Sequence, residues 1–118
     1  MATHDRDETE PRGSYGMVAC LLGPEFEDSE WRIPHDRLRQ AGYAVHVIGK
    51  RAGETLRGKK GHESVEVELG VDEARPEDFD ALLIPGGHSP ENLRNDPRIV
   101  AFVKAFDHTR RPVAAVCH

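Results

Sequence analysis

Ala81-Leu82-Leu83-Ile84-Pro85-Gly86-Gly87-His88 decides the architecture of this chain. Four apolar residues run without alternation and then stop at Pro-Gly-Gly, the pattern of a strand buried on both faces. The same kind of run occurs three more times. Tyr15 to Leu22 (YGMVACLL) ends at Gly23-Pro24, Ala44 to Gly49 (AVHVIG) follows Gly42-Tyr43, and Val113 to Val116 ends at Cys117-His118. Between them lie helical patterns. Asp28 or Ser29 can cap a helix running to Ala41, stopped by Gly42 and either kinked or delayed by Pro34. Asp96-Pro97 opens another, in which Ile99, Val103 and Phe106 fall on one stripe. Strands alternating with helices predict an α/β fold: a doubly wound parallel sheet with strands 16–22, 44–49, 81–84 and 113–116 and helices near 29–41 and 97–109 on its faces. Arg51 to Gly61 reads as an exposed basic turn region. Ser64 to Leu69 (SVEVEL) alternates strictly, as a strand with one wet face at an edge would.

Composition narrows the function classes. The 118 residues are enough for one domain. Residues 1–14 (MATHDRDETEPRGS) hold no large apolar residue after Met1 and read as a disordered leader; the domain occupies 15–118. That leader lacks the apolar core of a signal peptide, and no run approaches membrane-spanning length, so a cytoplasmic location without a membrane partner is expected. A net charge of −5 with interspersed signs argues against nucleic acid as the main partner. The two cysteines, Cys20 and Cys117, fall in separate predicted strands and are expected to be reduced thiols.

Ligands of an open parallel sheet bind outside the carboxyl ends of its strands. Three such ends carry chemistry here: Gly23-Pro24-Glu25-Phe26-Glu27-Asp28, Pro85-Gly86-Gly87-His88 and Cys117-His118. Cys117 at a strand-to-helix turn has the profile of an activated thiolate, with His118 as the neighbouring imidazole. Gly86 and Gly87 can bring a backbone amide close to a reacting oxygen, although paired glycines are usually only a turn. Glu27 is either an exposed acid opening a helix or a carboxyl sharing a proton with the thiol. Cys20 lacks such neighbours and reads as core packing. No pair of histidines has metal-ligand spacing, so no metal and no cofactor are expected.

The chain resembles the PfpI family of intracellular cysteine peptidases. The resemblance is carried by Phe26-Glu27-Asp28 with Glu30, Arg37-Leu38-Arg39-Gln40-Ala41-Gly42, Gly58-Lys59-Lys60-Gly61, Pro76-Glu77-Asp78-Phe79-Asp80-Ala81-Leu82, Pro85-Gly86-Gly87 with Pro90-Glu91, and Pro112 to His118. It runs from about Gly16 to the end, with the motifs in order. This family belongs to the class I glutamine-amidotransferase-like superfamily, which includes the Parkinson-associated deglycase. The resemblance implies a flavodoxin-like sandwich, Cys117 as nucleophile, His118 as its partner and Glu27 as the acid hydrogen-bonded to the thiol. Gly87 matches an oxyanion-hole glycine, and His88 stands where close relatives often carry Arg.

Glu91 matches an acid that reaches across an oligomer interface to complete a neighbour's site, which implies a homo-oligomer; a solvated acid in the first turn of a helix is the local alternative. Implied activities are peptidase or amidase, deglycase and glyoxalase chemistry on a small carbonyl compound or peptide, in stress protection. A non-enzymatic stress protein or chaperone sensing oxidants through Cys117 is the alternative from another class. Family members continue after Cys-His with Gly-Pro, a helix and further strands. The 118 residues are therefore expected to be the N-terminal part of a longer domain, truncated after the nucleophile strand.

Overall fold

A computed structural model describes residues 15–115. The proposed leader, 1–14, and Val116, Cys117 and His118 lie outside the described residues. Strands β1 (Gly16–Leu21), β2 (Tyr43–Gly49), β5 (Leu69–Gly70), β6 (Ala81–Ile84) and β7 (Val113–Ala115) form one parallel sheet in the order β5-β2-β1-β6-β7. The first strand thus lies at the centre, and the chain winds outward on both sides of it.

Successive residues of β1 face opposite sides, so the sheet has two cores. Val18, Cys20, Val45, Val47 and Leu83 pack beneath α1 (Asp28–Gln40), which contributes buried Trp31. Ala19, Leu21, Ile48 and Leu82 pack on the other side against Ile99, Phe102 and Phe106 of α3 (Pro97–His108). A short helix, α2 (Ser89–Arg94), precedes α3. This is the expected doubly wound α/β sandwich, with helix and strand ends displaced by at most a residue or two.

Three local expectations change. Of the two readings of Pro34, the delayed start is overturned: α1 begins at Asp28 and Pro34 lies inside it. Neither Asp28 nor Ser29 caps that helix; Glu27 occupies the cap position, and Asp28 reaches across to another loop. Residues 51–61 are not all turn: β3 (Thr55–Arg57) pairs antiparallel with β4 (Ser64–Glu66). The alternating stretch 64–69 is consequently two strands. At Val67 the backbone still bonds to the β3 side through Glu54 O, but Glu68 N–H already donates to Val47 O of β2. The alternation of faces survives this change of partner, with Val65 and Val67 buried and Glu66 and Glu68 exposed.

Candidate active site

Phe26 organises the carboxyl edge of the sheet. Its backbone bridges Gly58 on one side and Gly87 on the other. Glu25 N–H donates to Arg57 O at 2.9 Å and Lys59 N–H to Phe26 O at 2.8 Å, while Glu27 N–H donates to Gly86 O at 3.1 Å and His88 N–H to Glu25 O at 2.9 Å. Three loops distant in sequence are thereby stitched into one small layer, with the Phe26 ring fully buried beneath it. Glu25 is held at φ 60, a left-handed conformation that its two backbone bonds enforce.

Gly87 is required by this closeness. Its φ is +82, and a Cβ there would lie 2.5 Å from Glu27 N and 2.8 Å from Glu25 O. The amides of the loop divide their work. Gly86 N–H donates to Glu30 Oε1 at 2.9 Å and His88 N–H is taken by Glu25. Gly87 N–H donates to no acceptor among the described residues. Of the three residues expected at an oxyanion or substrate pocket, only Gly87 has a backbone N–H without an acceptor among the described residues, on a loop anchored by Glu30.

Glu27 is 8% exposed, with its carboxylate between two ammonium groups: Lys59 Nζ lies 3.1 Å from Oε1 and Lys60 Nζ 3.0 Å from Oε2. Hydrogen bonds from Lys60 and then Lys59 hold its carboxyl below the usual glutamate range, against the upward push of burial. Asp28 is likewise buried. Oδ1 accepts Lys60 N–H and Oδ2 accepts the N–H groups of His62 and Glu63, all at 2.9 Å. Burial pushes its carboxyl up, but the amides of Lys60, Glu63 and His62 outweigh that and hold it low.

The sequence reading missed Asp28, Lys59 and Lys60 as site builders. A buried acid directly after Glu27 and a Lys pair between glycines are the signals, but nothing local joins positions separated by about thirty residues.

Further support comes from α2. Buried Ser89 accepts Gly23 N–H on Oγ at 2.7 Å, and Asn92 Nδ2 donates to Pro24 O at 2.9 Å, so the start of the loop after β1 is tied down twice. Glu91 and His88 are exposed on the outer surface, Oε1 and Nδ1 being 3.6 Å apart. Cys117 and His118 lie outside the described residues. The preceding strand β7 runs parallel to β6 with Ala115 opposite Ile84, so both strands lead to the same edge of the sheet.

Cys20, by contrast, is fully buried in the centre of the sheet, where burial and then Glu68 push its thiol up. Among the described residues no three His, Cys, Asp or Glu side chains converge as a metal set would require, and no helix is long and apolar enough to cross a membrane.

A parallel sheet with a positive-φ glycine turn and a buried acid gathered at its carboxyl edge has the arrangement of open α/β folds, which bind their ligands at that edge. Comparison with known proteins gives the family: residues 17–118 match the DJ-1/PfpI family, and the chain belongs to it. It is 50% identical over 101 residues to protein/nucleic acid deglycase 2 of Escherichia coli (strain K12) and 46% identical over 101 residues to general stress protein 18 of Bacillus subtilis (strain 168). Each alignment covers 86% of this chain and 59% of the relative, so the chain spans about three fifths of the length of these relatives.

Among solved structures, a two-domain protein of Anabaena variabilis with DJ-1/ThiJ/PfpI-like and ferritin-like domains superposes with a TM-score of 0.84 at 41% identity, over 86% of this chain and 29% of that one. Oxidized Toxoplasma gondii DJ-1 superposes with a TM-score of 0.76 at 26% identity, over 86% and 55%.

Proposed function

We propose that the protein is a cysteine-dependent enzyme of deglycase or glyoxalase type, acting on small aldehydes and their adducts with amines. The observation that carries this reading is the Gly87 amide, which has no acceptor among the described residues and lies beside the Glu27 backbone on the edge toward which β7 leads. In the proposed chemistry the Cys117 thiolate attacks a carbonyl carbon. The S–C bond forms as the π electrons move to oxygen, which Gly87 N–H stabilises and His118 then protonates.

With methylglyoxal, moving a proton from the thiol-bearing carbon to its neighbour through an enediol gives a thioester. Water then releases lactate and the thiol. Similarity to a deglycase at 50% identity supports this class over peptidase or amidase action, as do the short loops of the site, which suit small substrates. A substrate panel tests it: methylglyoxal, a methylglyoxal-modified amino acid and a peptide amide. Turnover of the first two supports the reading, and turnover of the peptide alone would replace it with proteolysis.

A second reading has its own support. A general stress protein and an oxidized DJ-1 structure stand among the similar proteins. A non-enzymatic oxidant sensor would take up oxygen at Cys117 before Cys20 and show no turnover on the panel. Peroxide titration followed by mass spectrometry distinguishes the two.

Assembly follows the same site. We propose a homo-oligomer in which Glu91, whose side chain is 70% exposed, completes a neighbour's Cys-His site. Co-refolding Cys117→Ser with Glu91→Gln variants should restore partial activity; an active monomer would leave Glu91 with its local role.

A further inference from the structure

The motif Gly58-Lys59-Lys60-Gly61 is a tight turn, closed by Gly61 N–H donating to Gly58 O at 3.0 Å, with the two lysines at its central positions. Adjacent lysines repel one another and ordinarily point into water. Here the turn is fastened on every side to the segment that carries Glu27. Lys59 N–H is held by Phe26 O, Gly58 N–H by Glu63 O, and the amides of Lys60, His62 and Glu63 by the Asp28 carboxylate. At Gly58 a side chain would run into that carboxylate. Both ammonium groups are thus delivered to one buried anion, one to each oxygen, at 3.1 and 3.0 Å.

We propose that Lys59 and Lys60 are positioning residues: the turn is a charge clamp that keeps Glu27 ionised and oriented at the sheet edge, so that Glu27 accepts a proton or hydrogen bond and does not donate one. No other ionisable side chain among the described residues competes for this carboxylate. Asp28 and Glu30, on the same helix, are engaged by the turn amides and by Gly86 N–H. His88 and Glu91, from the opposite loop, pair with each other at the surface, and Arg32 binds Glu63 and Asp36. Lys59 and Lys60 offset the negative charges of Glu27 and Asp28, which lessens the electrostatic penalty on a thiolate at a neighbouring cysteine. That last consequence rests on the catalytic reading of Cys117 and Glu27; the clamp itself does not.

The test is a pH titration of the Glu27 side-chain carboxyl by carbon-13 NMR on the full chain. It compares wild type with Lys59→Met, Lys60→Met, the double variant and Lys60→Arg. The clamp predicts a wild-type midpoint below the ordinary ~4.3, an upward shift of about one unit or more in each methionine variant, a larger one in the double variant, and recovery in Lys60→Arg. A wild-type midpoint at the ordinary value, or methionine variants that leave it unmoved, would overturn the proposal. Single Lys60 variants keep the test intact where the double variant does not fold.

A parallel measurement follows iodoacetamide alkylation of Cys117 against pH. A shift to higher pH in the methionine variants supports coupling of the clamp to the thiol. A Glu27 shift with an unmoved thiol profile supports the clamp and overturns the catalytic role of Glu27.

Discussion

Phe26 and Gly87 form an isolated antiparallel bridge so close that a Cβ on Gly87 would press on the backbone from Glu25 to Glu27. The glycine therefore serves the architecture of the site as well as its chemistry. Gly87→Ala should destabilise the protein by on the order of 1–3 kcal/mol through its left-handed φ alone, with the contact adding to that. Urea unfolding measures the loss. An unchanged midpoint would show that the bridge is not tight in solution.

Asp28 collects three amides of the 60–63 turn on one buried carboxylate. Asp28→Ala leaves those donors without their acceptor, and a cost of about 1–3 kcal/mol follows for each one that water cannot reach. Amide hydrogen exchange should accelerate at Lys60, His62 and Glu63 in this variant. Retained protection at all three would contradict the assignment.

These two residues show what was legible in the sequence. The sandwich could be read because each central strand is a continuous apolar run and each long helix has a stripe and a stop, all local signals. Gly87 stood out for the same reason, at the end of such a run. The β3–β4 hairpin could not be read, since three-residue strands leave too short a pattern and the alternation of 64–69 continues across a change of partner. Asp28 looked like a helix cap because helix starts favour acids, but tertiary amides compete for the same carboxylate and win. The Lys59 and Lys60 contacts with Glu27 arise only when the chain folds the 58–61 turn over α1, so the basic turn looked solvated.

Asp96 caps α3 through Arg98 N–H at 2.9 Å and also binds the Arg98 guanidinium. Chiefly because of that guanidinium, its carboxyl is brought down to about 2. A carboxyl lowered on folding stabilises the native state above its unfolded value near 3.9 and loses that effect as pH falls through the folded value. Asp96→Asn keeps a capping oxygen and removes the charge. The variant should be less stable than wild type at pH 7, with the difference closing between about pH 4 and pH 2. A difference that persists below pH 2 would point to the cap and not the charge.

Cys20 is fully buried with its thiol pushed up, and burial withholds both the thiolate and access to it. Ellman's reagent should leave Cys20 unmodified in the native protein and react with it only in denaturant. Peptide mapping identifies the labelled residue, and rapid native labelling of Cys20 would refute the packing described here.

The proposed role of Cys117 as nucleophile is tested most directly by the rate of methylglyoxal consumption by wild type, Cys117→Ser and Cys20→Ser proteins. Catalysis through Cys117 predicts wild-type turnover in Cys20→Ser and only the uncatalysed background in Cys117→Ser. Equal turnover in wild type and Cys117→Ser would contradict it.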